Sequence, residues 1–199
     1  MDIVCQVSGG VMARPRKFDK QIVLTSAMEV FWRHGYEGTS TSTLEQATGL
    51  GRGSLYNAFG DKRGLYLCVL DHYADVYMGE AIQRIKGSDT SRLGIRALFQ
   101  FVVEASSESS WRGGCLLCDA AIEKAPHDED VAERVRRSCE RLVRAIATMI
   151  ASEQADRDEA LIMAEANRAL TTYMGLRVLA RAGYPSETLS AIAESEYLA

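Results

Sequence analysis

The stretch at residues 47–62, ATGLGRGSLYNAFGDK, places three glycines within five residues. Glycines this dense form either a loop that cradles a phosphate or a turn between two helices. A dinucleotide-binding loop follows a strand, and a P-loop ends in Gly-Lys-Ser/Thr. Here a short helical pattern precedes Gly49, and Arg52 stands where no such lysine motif can be found. The stretch therefore predicts a turn between helices.

The rest of the sequence favours helices as well. Apolar residues recur at helical spacing, strict apolar–polar alternation is absent, and proline occurs 3 times in 199 residues. The predicted fold is all-α, with Leu44 and Ala47 facing inward in the helix that ends at Gly49. The other predicted helices span residues 19–34, 52–58, 61–85, 91–107, 114–124, 128–151, 157–182 and 186–196.

Charge is distributed unevenly along this chain. The net charge is −4, yet residues 14–63 carry eight basic and five acidic side chains, a balance of +3. A basic segment near the N-terminus followed by an acidic remainder is typical of a protein with a separate DNA-binding domain. Together with the helix, the short turn and the next helix, it predicts a helix-turn-helix whose second helix enters the major groove.

The pattern extends well beyond the turn. Its residues are Ala27, Phe31, Gly35-Tyr36, Thr39-Ser40, Leu44, Ala47, Gly49-Leu50, Gly53, Leu55-Tyr56, Phe59, Lys62 and Leu65. This pattern resembles the DNA-binding domain of TetR/AcrR-type transcriptional regulators. The resemblance implies a homodimer that releases its operator when a small molecule binds. It also implies a three-helix DNA-binding domain at 18–64 and a helical ligand-binding and dimerisation domain at 65–199. Residues 1–17 are polar and are expected to form a flexible tail.

The resemblance also implies which residues contact DNA. Four would face the DNA from the second helix of the motif: Arg52, Ser54, Tyr56 and Asn57. Three would contact phosphates: Thr41, Ser42 and Lys62. Arginine and asparagine side chains can hydrogen-bond base edges, whereas hydroxyl groups suit phosphate oxygens. The alternative interpretation of each residue is an ordinary solvated polar side chain.

Three positions depart from the usual pattern of these regulators. Gly51 replaces the common serine that caps the second helix, and Glu45 stands where a small residue is usual. Arg63 follows the lysine where an acidic residue is frequent. Glycine is tolerated at a helix N-cap, and Glu45 is expected to point to solvent or to repel phosphate slightly. The motif is retained, but operator choice is affected.

The family builds its dimer from the last two long helices, as a four-helix bundle across a two-fold axis. A stripe at alternating steps of four and three is predicted to form this interface: Ile162, Ala166, Ala169, Tyr173, Leu176 and Ala180. Packing inside the same subunit is the alternative. Another stripe is predicted to be core: Val131, Val135, Cys139, Leu142, Ile146 and Met149.

The segment at 111–123, WRGGCLLCDAAIE, is similar to a Gly-Cys-Leu segment found in a subset of these regulators. Cys115 begins a predicted helix, where the positive end of the helix dipole favours a thiolate, and Cys118 lies one turn on. The two thiols either sense oxidants or electrophiles or pack as small apolar side chains. In the second case a small hydrophobic ligand is expected in a pocket lined by Phe99, Phe101, Trp111, Cys115 and Met149.

Other classes of protein find little support in the sequence. The histidines, His34, His72 and His127, are scattered, and no second cysteine pair accompanies the first, so no metal is expected. No nucleophile with a nearby base and no cofactor loop is found, so neither enzyme activity nor a cofactor is expected.

A cytoplasmic protein is expected, because no membrane span and no signal peptide is found. Reduced thiols are expected, because the 5 cysteines do not resemble a secreted disulfide framework. Its expected partners are double-stranded operator DNA, an apolar or electrophilic small molecule and a second copy of the chain. Two alternatives stay open: a thiol-based redox-sensing or metal-binding helical protein, and a DNA-binding module that acts through a protein partner.

Overall fold

The structure is a computed structural model that describes residues 18–108 and 114–195. Within these residues the chain is helical and contains no strand, which confirms the all-α prediction. The α-helices are α1 Lys20–His34, α2 Thr41–Thr48, α3 Arg52–Phe59, α4 Lys62–Tyr73, α5 Gly79–Lys86, α6 Ser91–Glu108, α7 Leu116–Glu123, α8 Glu129–Glu153, α9 Glu159–Arg181 and α10 Ser186–Ser195. A 3₁₀ turn at Ala125–His127 precedes α8.

The long helix expected at 61–85 is present with one difference. Helices α4 and α5 are joined by a π-helical turn at Ala74–Met78, so the helical run continues from α4 to the end of α5. A π turn inserts one extra residue and thereby rotates the faces that follow it. The chain divides into two compact units, the first ending at Tyr73 and the second beginning at Ala74.

The first unit packs α1 against α4 and α2, and α3 against α4 and α2. The Asp19 carboxylate accepts the backbone N–H of Gln21 at 2.8 Å and so caps α1. An aromatic contact joins α1 to α4, since the rings of Phe31 and Tyr66 lie edge to face with centroids 4.9 Å apart. The buried apolar side chains of α1, α2, α3 and α4 form one hydrophobic core in this unit.

Helix α2 contributes less to that core than its sequence predicted. Leu44 is completely buried, as expected. Ala47 is exposed, so the prediction that it faces inward is wrong. Ala47 lies three residues after Leu44, which is about 60° away from it around the helix axis. The neighbouring helices cover α2 at Leu44 and leave Ala47 open to solvent.

The second unit packs α8 against α9, with α6 also in contact with both. Helix α8 is capped by the Asp128 carboxylate, which accepts the N–H of Asp130 at 3.1 Å. Of the six residues predicted to form a core stripe on α8, three are buried. Val131, Leu142 and Ile146 are buried, whereas Val135, Cys139 and Met149 are half-buried and Ser138, Val143 and Ile150 complete the buried face.

The stripe predicted as the dimer interface is buried inside the subunit. All six side chains, Ile162, Ala166, Ala169, Tyr173, Leu176 and Ala180, are at most 6% exposed in the single chain. They face the core because α9 contacts α8, α6, α7 and α10. The prediction that this stripe meets a second subunit is therefore wrong, and packing within the subunit explains it.

None of the helices in the described part of the chain has both the length and the apolar character needed to cross a bilayer.

Candidate nucleic-acid interface

The turn between α2 and α3 is built from glycines with different roles. Gly49 ends α2 with a left-handed backbone, φ +68°, and its N–H donates to the Glu45 carbonyl at 3.0 Å. That backbone conformation is costly for residues with a side chain. Gly51 stands at the N-cap of α3 with an ordinary extended backbone, φ −66° and ψ 155°, and forms no side-chain cap. The first turn of α3 is therefore capped by something else.

The missing cap is supplied by Glu45. Its side-chain carboxylate accepts the backbone N–H of Arg52, the first residue of α3. The expectation that Glu45 points to solvent or repels phosphate did not include this contact. The sequence holds only the components of this contact, a glycine at the N-cap of α3 and a carboxylate six residues before it on α2.

Two predicted contact residues from different helices meet directly. The hydroxyls of Thr41, the first residue of α2, and Tyr56, in the second turn of α3, lie 2.7 Å apart. The Arg52 guanidinium lies 5.6 Å from the centre of the Tyr56 ring. Cation–π contacts at this distance favour one position of the arginine. The structure thus assembles Thr41, Tyr56 and Arg52 into one group.

The polar residues predicted to contact DNA from α2 and α3 are largely open to solvent. Ser42, Arg52, Ser54 and Asn57 are exposed. The opposite side of α3 carries Leu55 and Phe59, which are buried. Helix α3 therefore presents a polar face to solvent while its apolar face fixes it to the unit.

Helix α2 begins with a network of hydroxyl groups. Ser40 is the N-cap, and its hydroxyl accepts the N–H of Thr43 at 3.1 Å. The same oxygen lies 2.8 Å from the Ser42 hydroxyl. Backbone N–H groups at a helix start, together with hydroxyl donors, suit an anionic oxygen.

Lys62 occupies a different position from the rest of the set. It is the first residue of α4 and is half-buried, with its ammonium 4.4 Å from the centre of the Tyr36 ring. The Asp61 carboxylate accepts the N–H of Gly64 at 2.7 Å and so caps the same helix start. The aromatic face under Lys62 was not predicted from the sequence.

The residues predicted to line a ligand pocket are spread over the second unit. Phe99 borders a cleft of about 760 Å³ among α6, α8 and α9, whereas Met149 borders a different cleft of about 810 Å³ between α5 and α8. Phe101 lies against Arg177, with its ring centre 5.1 Å from the guanidinium. Trp111 lies outside the described residues. A single pocket shared by these side chains stays a prediction.

Cys115 and Cys118 lie at the start of α7, as the sequence predicted. Cys115 is the N-cap, and both thiols are buried and reduced. A hydrogen bond to the Cys115 side chain, together with burial, raises the pKa of the Cys118 thiol far above its usual range. Cys118 is therefore a neutral thiol at physiological pH.

A buried arginine stands beside this pair. Arg177 of α9 is 1% exposed and donates to the Gly114 carbonyl at 3.2 Å and to the Tyr173 hydroxyl at 2.9 Å. Burial raises the pKa of that tyrosine, so it stays protonated. Gly114 itself is in close contact with α9, because a Cβ there would lie 2.6 Å from Cδ of Arg181. The start of α7 is thus held by two arginines of α9.

In residues 18–108 and 114–195, no group of three or more histidine, cysteine, aspartate or glutamate side chains is placed to hold a metal ion.

Comparison with known proteins agrees with this geometry. Residues 23–69 match the family model described as bacterial regulatory proteins, tetR family. The chain is 34% identical over 131 residues to the uncharacterized HTH-type transcriptional regulator YezE of Bacillus subtilis, covering 66% of this chain and 68% of that protein. It is 30% identical over 124 residues to the HTH-type transcriptional repressor ComR of Escherichia coli, covering 62% and 59%.

A solved structure extends the similarity to nearly the whole chain. It is a cysteine mutant of the TetR family transcriptional regulator CifR complexed with 26-bp operator DNA, and it is 31% identical with a TM-score of 0.82. The match covers 94% of this chain and 99% of CifR. The helix-turn-helix of α2 and α3, the family model and these relatives together establish that the chain belongs to the TetR family of bacterial transcriptional regulators.

Proposed function

We propose that this protein is a repressor that binds a pseudo-palindromic operator as a homodimer and releases it when a small molecule reaches the second unit. The observation that carries the proposal is the exposed polar face of α3, which is fixed to α2 through Tyr56 and Thr41. Two kinds of relative support it, since ComR is named a repressor and CifR was solved with operator DNA. Such a protein acts in the cytoplasm, where its DNA lies.

The proposed DNA contacts divide by chemistry. Arg52 and Asn57 read base edges from α3, because a guanidinium and an amide can form paired hydrogen bonds with purines. The hydroxyls and the ammonium hold phosphates, which fix position without reading sequence. The phosphate-binding residues are Thr41, Ser42, Ser54, Tyr56 and Lys62.

The dimer surface is proposed to lie on the face of α9 opposite its buried stripe. A second row with the same steps of four and three is exposed: Ala164, Arg168, Thr171, Gly175, Val178 and Ala182. Gly175 lies in the helix interior, and a Cβ there would meet nothing within 4 Å in this subunit. Glycine costs a helix about 1 kcal/mol relative to alanine. Close approach of a second subunit would explain the glycine at this position, because no contact inside the subunit requires one.

The effector is proposed to act on α7 and the helices around it. An apolar small molecule in the second unit is the simplest occupant, as in the prediction from sequence. A second possibility is an oxidising effector, because the Cys115 and Cys118 thiols are hydrogen-bonded neighbours at the start of α7. A Cys115 thiolate attacking hydrogen peroxide would form a sulfenic acid and release hydroxide. Attack by the Cys118 sulfur would then release water and leave a disulfide, so that the two thiols together supply the two electrons that reduce the peroxide.

Replacing Arg52 or Lys62 separates base reading from phosphate binding. Arg52→Ala should weaken the selected operator by about 1–3 kcal/mol and relax base preference at the positions it reads. Lys62→Ala should weaken all DNA alike and reduce the salt slope by about one. Arg33→Ala, an exposed arginine elsewhere on the first unit, is the control. Selection from random DNA followed by titration at several salt concentrations measures all three. Enrichment of no palindromic site by the unmodified protein would contradict the repressor proposal.

Val178→Glu tests the dimer surface. A carboxylate on the proposed row would be buried without a partner when two subunits meet, so the variant should be monomeric and bind operator much more weakly. Leu93→Glu on α6 is a matched control, because both side chains are 47% exposed in the single chain. Light scattering reports the mass. A Val178→Glu protein that stays dimeric would place the interface elsewhere.

Cys115→Ser tests the thiol effector. Mild peroxide should release the unmodified protein from operator DNA, and a thiol reductant should restore binding. Cys115→Ser should keep its operator under the same treatment, whereas Cys139→Ser, which removes a half-buried thiol of α8, should respond like the unmodified protein. Gel-shift titration gives the readout. Equal responses of the unmodified protein and Cys115→Ser would exclude the thiol effector. The apolar small molecule would then be the remaining proposed effector.

A further inference from the structure

We propose that Glu45 is a positioning residue for DNA reading, which fixes the first turn of the recognition helix α3 and thereby the side chain of Arg52. The inference rests on the proposed DNA-binding function. It assigns a role to a carboxylate in a surface that otherwise carries phosphate-binding groups, where a negative charge opposes affinity.

Glu45 holds both ends of the turn between α2 and α3. Its backbone carbonyl accepts the N–H of Gly49, which ends α2, at 3.0 Å. Its side-chain carboxylate accepts the N–H of Arg52, which begins α3. One residue therefore sets where the first helix stops and where the second starts.

The glycine at the N-cap makes this contact necessary. The first N–H groups of a helix have no partner within the helix, and an N-cap side chain usually satisfies one of them. Gly51 has no side chain to do so. Its backbone angles are open to any residue, and a Cβ at this position would meet nothing within 4 Å. A serine would therefore fit at position 51 and could cap α3 directly. In this chain the Glu45 carboxylate caps the helix instead.

The contact acts on the residue proposed to read bases. The N–H held by Glu45 belongs to Arg52, whose guanidinium lies 5.6 Å from the centre of the Tyr56 ring. Tyr56 in turn meets the Thr41 hydroxyl at 2.7 Å. Helix α3 is thus tied to α2 at its first turn by Glu45 and at its second turn by Tyr56. Loosening the first tie would let Arg52 move relative to the base edges while the phosphate contacts remain.

Charge and cap make opposite contributions to binding. As a charge, Glu45 repels every DNA alike. As a cap, it favours only the sequence that Arg52 reads. Removing the side chain should therefore reduce the ratio of operator to non-operator affinity even where non-operator affinity rises.

The test compares three variants with the unmodified full-length protein. Glu45→Ala should lower the ratio of operator to non-operator affinity about tenfold, the factor that corresponds to a lost N-cap. Glu45→Gln keeps an acceptor oxygen and should keep the ratio while raising both affinities. Glu45→Ala/Gly51→Ser restores a cap from the N-cap position and should restore the ratio. Glu29→Ala, which removes an exposed carboxylate of α1, should change nothing.

Several results would overturn the inference. The ratio would stay unchanged in Glu45→Ala if the carboxylate only repelled phosphate. It would fall equally in Glu45→Gln if charge rather than the cap mattered, and it would not recover with Gly51→Ser if Glu45 did not act through the helix start.

Hydrogen exchange separates this inference from the proposed function. In DNA-free protein the Arg52 amide should exchange about ten times more slowly than in Glu45→Ala. In Glu45→Ala/Gly51→Ser the new hydroxyl should instead protect the amide of Gly53 or Ser54, the second and third residues of α3. An unmodified protein without any operator preference would contradict the repressor proposal, but slow exchange would still support the cap. Equal exchange with and without the Glu45 side chain would refute the cap whatever the DNA result.

Discussion

The angle of α3 against α2 is the constraint on which recognition depends. A helix of eight residues has little stability of its own, since isolated helices shorter than about 12–15 residues are marginal in water. Its position must therefore come from contacts. Leu55 and Phe59 supply the buried side, and the hydroxyl pair of Tyr56 and Thr41 fixes the second turn. With Glu45 at the first turn, the exposed residues of α3 are presented as a rigid set.

The second unit depends on a different interaction, a buried guanidinium. Burying a charge is costly unless hydrogen bonds compensate it. Arg177 donates to a carbonyl of the α7 start and to Tyr173, and its guanidinium lies over the Phe101 ring. On the proposed function, an effector that moved α7 would act on α9 through this arginine. Helix α9 also carries the proposed dimer row, so the same movement would act on the proposed contact between two subunits.

Much of the fold could be predicted from local chemistry in the sequence. Helices α1 and α8 begin one residue after the predicted starts at 19 and 128, where the Asp19 and Asp128 carboxylates cap them, and Gly49 ends α2 as predicted. The predicted residues of α2 and α3 could be placed because short-range spacing fixes both helices. Their roles on DNA came from the family resemblance and stay proposals.

The errors have a physical cause as well. Two rows on α9 have the same spacing and similar small residues, offset by two positions. Periodicity identifies a stripe, but only the packing of the other helices decides whether the stripe at Ala169 or the one at Thr171 faces the core. The Glu45 cap was missed for a related reason. It joins residues seven positions apart across a turn, and its geometry requires the relative placement of two helices.

The central claim is that two copies of α3 read successive major grooves. Methylation of guanine N7, which lies in the major groove, tests it directly when the methylated operator is sorted by binding to the full-length protein. The account predicts two interfering clusters related by two-fold symmetry, about one helical turn or roughly 34–36 Å apart. Interference that was absent, or confined to one cluster without a symmetric counterpart, would contradict it.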